Sequence, residues 1–338
     1  FGVGDLKAML ASIGIPVHKT SDGWYYPLSN SAHSVVAAFA SALKQAGVTL
    51  YSQAQVSSLR AGPKGFAVGF IRDGREQAED FQRVIVSAGG KAYPSLGSRG
   101  ELFPVLEALG HTVLPKRPAL APLLADLGEL RPLQGIRLDV GVTLWQGPRR
   151  LGAAAGNLIF TEWGLNGPAV MDISHLVSAR PGAVLALSLN LLAFIQDDFD
   201  RLLAQKRASA MPLRVFLGAF FPPKVALTYL KINGLPEETP LGQVDDAALQ
   251  RLVDQLKNTT LAVKGVRDFD TCQVSAGGVP VAEVDPTTLE SRRVAGLFLT
   301  GETLDVVGPC GGYNLHYAFG SGALAGQAAA GAAPHPQP

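Results

Sequence analysis

A chain of 338 residues can hold about two or three domains and a large core. With 47% hydrophobic and only 17% charged residues it is a globular, well-buried chain, and intrinsic disorder is excluded. A net charge of +1 gives no electrostatic case for nucleic acid or an acidic membrane, so neither is expected as a partner. The basic pairs Lys116-Arg117, Arg149-Arg150 and Arg292-Arg293 have no aromatic-rich binding motif beside them and read as solvated surface. Cys272 and Cys310 form neither a Cys-x-x-Cys nor a disulfide framework. That usage predicts a reducing, cytoplasmic setting, and the sequence from Phe1 does not read as a signal peptide.

In chain order, Leu6 to Ile13 reads as the end of a helix, stopped at Gly14. Val17 to Pro27 reads as a hairpin turning at Asp22-Gly23. The apolar positions Val35, Val36, Phe39, Leu43 and Ala46 give a helix from Ser31 to Ala46, closed by Gly47. Val48 to Gln53 is predicted as a strand. Val56–Leu59, Gly65–Ile71 and Gln77–Phe81 follow as antiparallel strands around an Asp73-Gly74 turn. Arg83 to Ser87 is a buried strand ending in Ala88-Gly89-Gly90, and α/β folds commonly place ligands at such strand ends. A helix spans Glu101 to Leu109.

From Pro118 the character changes. The short apolar runs Ala119–Leu124, Ile136–Leu144 and Ala183–Leu191, separated by Gly and Pro, predict a small antiparallel barrel. Leu192 to Gln255 reads as helical, with Phe216, Leu217, Phe220, Leu227, Leu230, Leu249 and Leu252 as core. Thr259 to Asp268 resumes β structure, and Gln273 to Val279 returns to the first domain. The expected architecture is α/β (α+β overall). A discontinuous Rossmann-like domain comprises residues 1–117 and 273–333. A β-barrel domain comprises 118–191 and 259–272, and a helical insertion 192–258. Pro334 to Pro338 is an expected frayed tail.

The chain is organised around its last segment. A buried strand, Val294 to Thr300, runs into Gly301-Glu302. Leu304-Asp305 and a turn with Gly308, Gly311 and Gly312 follow. A small-residue helix is predicted from Asn314 to Ala333. Glycines allow a ligand close to the backbone, and a helix start offers free N–H groups to electron-rich atoms. Val306 to Pro338 contains no Asp, Glu, Lys or Arg. Its recurring Gly, Asn, His, Ser and Pro favour a close-packed helix beside a cofactor over a membrane span.

Gly301-Glu302, Leu304-Asp305 and Gly311-Gly312-Tyr313-Asn314 resemble the carboxy-terminal motif of the BaiN/RdsA family of NAD(P)/FAD-dependent flavoproteins. Gly23–Ser29, Val84–Pro94 and Phe160–Pro168 fit the same family in the same order. The resemblance implies a flavoprotein oxidoreductase with FAD, reduced by NAD(P)H, acting on an unsaturated or electrophilic small molecule. Alternatives are a flavin-binding or scaffold module without turnover, and a nucleic-acid-modifying flavoprotein. The oligomeric state stays open.

Residue by residue, the resemblance implies cofactor contacts at Val56, Ala88, Gly89, Gly90, Gly301, Glu302, Gly311, Gly312, Tyr313, Asn314 and Leu315. Val56 would meet the adenine, or is ordinary strand core. Glu302 would accept hydrogen bonds from ribityl hydroxyls, or caps a turn. N–H groups from Gly312 to Leu315 would face the flavin pyrimidine edge, or merely begin a helix. His316 is the flavin-tuning candidate and no catalytic side chain is assigned. Asn166, Gly167 and Pro168 read equally as substrate contact or turn. Cys310 reads as a small turn residue. No metal ligands cluster in the sequence, and no Ser–His–Asp signature occurs. Two departures are visible. Gly97-Ser98-Arg99-Gly100-Glu101-Leu102 lacks the Asp-Gly of relatives, which leaves that loop no expected ligand role. The family's strand–Gly-x-Gly-x-x-Gly–helix opening is absent, so an amino-terminally incomplete domain lacking the pyrophosphate loop is expected.

Overall fold

The structure, a computed structural model, describes residues 1–21 and 23–331. Asp22 of the predicted turn, the last predicted helical residues Ala332 and Ala333, and the tail with His335 lie outside the described residues. The chain divides into two compact units, Phe1–Lys116 with Val274–Pro338, and Arg117–Gln273.

In the first, discontinuous unit a single core draws on both stretches of chain. Leu59, Phe66, Val86, Phe103 and Leu106 from the first part pack with Val279, Leu297, Phe298, Leu299 and Ala325 from the second. Its centre is a parallel pair, Val84–Val86 with Leu297–Leu299, in which Leu297 faces Val84 and Leu299 faces Val86. Leu297, Phe298 and Leu299 are all buried, the unbroken pattern of a strand covered on both faces. The helix Tyr313–Ala329 packs beside it, and its small residues Gly320, Ser321 and Ala325 form the buried side.

The meander Ala54–Gly62, Gly65–Arg72 and Arg75–Phe81 is antiparallel throughout. Asp73 and Gly74 have φ of 51° and 70°, the left-handed pair that a two-residue hairpin turn requires. The expected strand Val48–Gln53 is absent, and the chain becomes extended only at Ala54. Gln53 sits at φ 54°, which breaks an extended run, and Val48 and Leu50 are exposed with no strand beside them. The helix Ala32–Gln45 starts where predicted, with the Ser31 hydroxyl accepting the Ser34 N–H. Its Phe39 stacks on Phe319 at 5.8 Å.

The second unit is a closed six-stranded barrel. Its strand order is Arg149–Thr161, Gly164–Asn166, Leu123–Ala125, Thr259–Val266, Leu185–Asn190 and Arg137–Gln146. Leu185, Leu187 and Leu189 point inward while their neighbours are partly exposed, the period-2 pattern of a barrel wall. The strand Arg149–Thr161 escaped the sequence reading because its centre, Gly152 to Gly156, consists of Gly and Ala. Packing requires the first of its glycines: a Cβ on Gly152 would lie 2.5 Å from Leu176 Cδ1. The helices Gln196–Lys206, Leu213–Gly218, Pro223–Ile232 and Asp246–Lys257 share the barrel's core, with Phe199, Phe216, Tyr229 and Leu252 packed alongside Leu144 and Leu187. Leu227, expected in that core, is exposed, and Phe220 is only partly buried.

Candidate functional site

The parallel strand Val84–Val86 ends at a turn that Gly89 makes with φ 74°. Beyond it opens a cleft of about 850 Å³ in the first unit. Val56, Ala88 and Gly89 line it, with Tyr51, Ser98 and Thr303 on its other walls. Val56 reaches it at a β-bulge, where the register against Gly65–Arg72 slips between Val56 and Ser58. The loop Gly97–Glu101, for which no ligand role was expected, is also part of the wall. It is tied down by Ser98 Oγ donating to Gly90 O at 2.5 Å and by Arg99 N–H donating to Glu101 Oε2 at 2.8 Å.

Glu302 lies next to Thr303, in the short helical turn that follows Leu297–Leu299. Its Oε1 accepts two hydrogen bonds from Ser275, one from the backbone N–H at 2.7 Å and one from the hydroxyl at 2.6 Å. Its Oε2 accepts none from the described residues. Burial pushes the carboxyl pKa up, and the Ser275 hydrogen bonds oppose that shift. Gly90 is buried directly against this pair. A Cβ there would collide with Ser275 Oγ and Glu302 Oε1, and would sit 3.0 Å from Glu302 Cδ. Gly90 therefore makes room for the carboxylate, a different duty from the one its neighbour Gly89 performs on the cleft wall.

Gly301 is buried with φ 56°, and its N–H donates to Ser321 Oγ at 3.0 Å. That bond joins the Glu302 turn to the middle of the helix Tyr313–Ala329. Five to eight residues separate Tyr313 from Ala318 and Ser321, so the helix start stands roughly 8–12 Å along the axis from that junction. Gly312 is its N-cap in the left-handed region, and no side chain caps the helix. The first-turn N–H groups of Tyr313, Asn314 and Leu315 thus lack a side-chain acceptor. The Asn314 side chain clamps the preceding turn, its Oδ1 accepting the Gly308 N–H at 2.8 Å and its Nδ2 donating to Gly308 O at 3.0 Å. Gly311 has φ 121°, with the Tyr313 ring 3.3 Å from where its Cβ would be. Tyr313 and Leu315 project outward and are exposed.

The predicted residues therefore fall into two groups. Val56, Ala88 and Gly89 line the first cleft, while Gly90 packs against Glu302, which with Gly301 immediately precedes the lining residue Thr303. Tyr313 and His316 line a second, largely apolar space of about 520 Å³ with Phe1, Leu289 and Tyr317. His316 Nε2 lies 3.1 Å from Phe1 O, and the two rings meet edge to face at 6.2 Å.

The chain matches the family described as HI0933-like protein Rossmann domain over residues 1–328. It belongs to that family. It is a flavin-dependent oxidoreductase of the BaiN/RdsA type. A 3-dehydro-bile acid delta(4,6)-reductase of Clostridium scindens is 34% identical over 335 residues, covering 98% of this chain and 81% of the relative. A ribosomal RNA dihydrouridine synthase of Escherichia coli is 29% identical, covering 91% of this chain and 74% of the relative. A protein of the same name from Haemophilus influenzae is 25% identical, covering 94% and 77%. The family match begins at Phe1 and so lends no support to the expected loss of an amino-terminal part.

The donor set suits a flavin nucleotide. A carboxylate oxygen without a protein partner, a glycine at a strand end and an uncapped helix start are the groups that hydroxyls, a close-lying nucleoside and an electron-rich ring edge call for. Among the described residues no three His, Cys, Asp or Glu groups could hold a metal ion, and no helix is long and apolar enough to cross a membrane.

The sequence reading missed Ser275, which no motif marks. It also missed a buried chain of polar groups in the first unit. His111 Nδ1 lies 2.7 Å from Glu283 Oε2, and His111 Nε2 lies 2.9 Å from Ser291 Oγ. The Ser291 hydroxyl already accepts the Arg293 and Val294 N–H groups, so its proton goes to Nε2 and Nδ1–H donates to Glu283. Burial pushes the Glu283 carboxyl up, but hydrogen bonds from Arg293, Thr112 and His111 outweigh it and leave the pKa at about 2. All three groups are buried, so the Ser–His–Glu order serves as a clamp.

Proposed function

We propose that this chain is an FAD-dependent reductase of carbon–carbon double bonds in a small organic molecule, with NADH or NADPH as electron donor. One observation carries the reading: Glu302 is fixed through Oε1 at the end of a parallel strand, with Oε2 left for a ligand. Bound FAD supplies the hydride-accepting and hydride-donating chemistry, so few catalytic side chains are needed. The protein's part is binding and electrostatics. Val56, Ala88 and Gly89 take the adenosine side in the first cleft. Glu302 accepts from the ribityl hydroxyls. The N–H groups at Gly312–Leu315 donate to the pyrimidine edge, where negative charge collects on reduction. His316, in the first turn of the same helix with its Nε2 3.1 Å from Phe1 O, is the candidate for tuning that charge.

The substrate class rests on the relatives. The names delta(4,6)-reductase and dihydrouridine synthase both describe two hydrogens added across a double bond. The second name favours one alternative, uridine in RNA as substrate, against which the net charge of +1 weighs. Anaerobic mixing of the yellow protein with NADH or NADPH tests the reading. Bleaching that is reversed by a conjugated enone supports it. Persistent yellow with both donors identifies a binding module without turnover. Bleaching reversed only by RNA, with dihydrouridine appearing in it, selects the alternative substrate.

A further inference from the structure

We propose that Ser275 is a positioning residue that fixes one oxygen of Glu302 so that the other is presented, ionised, to vicinal hydroxyls of a bound ligand. The proposal rests on the flavin reading for the identity of that ligand but not for the hold itself. Ser275 lies in the strand Val274–Gly278, buried along its whole length, and is itself 1% exposed. The Lys91 N–H donates to Ser275 Oγ at 2.9 Å, which fills one of that oxygen's two acceptor positions. Its single hydroxyl proton goes to Glu302 Oε1, 2.6 Å away. The Ser275 backbone N–H reaches the same oxygen at 2.7 Å. The relay has one direction, from Lys91 N–H through the Ser275 hydroxyl to the carboxylate.

This polarity has a functional consequence. A partly buried carboxyl drifts toward its neutral form, in which it would offer a proton. Two donors converging on Oε1 favour the charged form, so Oε2 remains an acceptor, as sugar-type hydroxyls require. Gly90 completes the arrangement, since any side chain there would enter the space between Ser275 and Glu302. Three separate stretches of chain thus meet to aim one oxygen atom.

The test uses the full chain with Ser275→Ala and, as an isosteric second variant with a weak donor, Ser275→Cys. Carbon-13 carboxyl NMR of the flavin-free protein gives the Glu302 titration, assigned by the signal lost in Glu302→Gln. The expected result is a midpoint above the usual glutamate range in the wild type and higher still in both Ser275 variants. Flavin affinity should fall about 10-fold in Ser275→Ala, the equivalent of one hydrogen bond to a charged group. A Glu302 midpoint unchanged in both Ser275 variants overturns the proposal, even if flavin affinity falls. Wild-type protein that takes up no flavin contradicts the functional reading instead, and the flavin-free titration still decides the role of Ser275.

Discussion

Replacing Gly90 with alanine adds one methyl group at the tightest point of the site. The backbone there is not in the left-handed region, so the substitution carries no conformational strain of its own. Its whole effect comes from the collision of the new Cβ with Ser275 Oγ and Glu302 Oε1. Ser275 is held in a buried strand and cannot retreat, so the Glu302 carboxylate must move and give up at least one of its two hydrogen bonds. A hydrogen bond to a charged group is worth about 1.5–3 kcal/mol, and forcing a methyl into packed space costs about 1–3 kcal/mol. Relaxation absorbs part of both, which leaves a destabilisation of roughly 2–4 kcal/mol. For a unit of this size that lowers Tm by about 5–15 °C. With Glu302 displaced, flavin Kd should rise about 10- to 100-fold. Thermal denaturation of the flavin-free protein and FAD titration followed by fluorescence read the two effects separately. Wild-type Tm together with wild-type Kd would refute the claim that Gly90 exists to make room for Glu302.

Asn314→Ala removes both hydrogen bonds that pin Gly308 and should lower Tm by about 2–6 °C while weakening flavin binding through a looser helix start, as calorimetry and FAD titration would show. The His111–Glu283 clamp should make stability fall in acid. The folded Glu283 pKa of about 2 lies below its unfolded value, so its contribution is complete above roughly pH 4.5 and is lost as pH falls toward 2. Glu283→Gln should flatten that part of a Tm-against-pH curve, and an unflattened curve would assign the acid sensitivity elsewhere. His316→Gln should leave flavin Kd within about 3-fold of wild type and change the rate of flavin reduction modestly, since its imidazole faces Phe1 and the second, apolar space. Complete loss of turnover with flavin still bound would make His316 an obligatory proton donor.

What the sequence disclosed follows the strength of the local signal. The run Leu297-Phe298-Leu299 and the Gly-Glu after it are unambiguous, because a strand covered on both faces must be continuously apolar. The helix start at Gly312 was legible from its glycines. Gly90 stood out in the sequence at the end of a strand, but the packing it permits was not legible, because the clash involves Ser275 and Glu302 from distant parts of the chain. Ser275 itself is an ordinary serine in sequence and acquires meaning only through the geometry around Oε1. The Val48–Gln53 expectation failed because an apolar run resembles a strand whether or not a partner strand exists. The strand Arg149–Thr161 was hidden for the opposite reason, since its Gly and Ala residues from Gly152 to Gly156 carry little strand signal. The His111–Glu283–Ser291 clamp joins residues far apart in sequence and could not be read from spacing.

The most direct test of the account is an FAD titration of flavin-free wild-type protein beside Glu302→Ala, with the fold of each checked by circular dichroism. The account predicts saturable binding by the wild type and a Kd raised at least about 10-fold in the variant, whose fold is retained. Equal affinity in the two proteins would contradict it, because the free oxygen of Glu302 would then not be what receives the ligand.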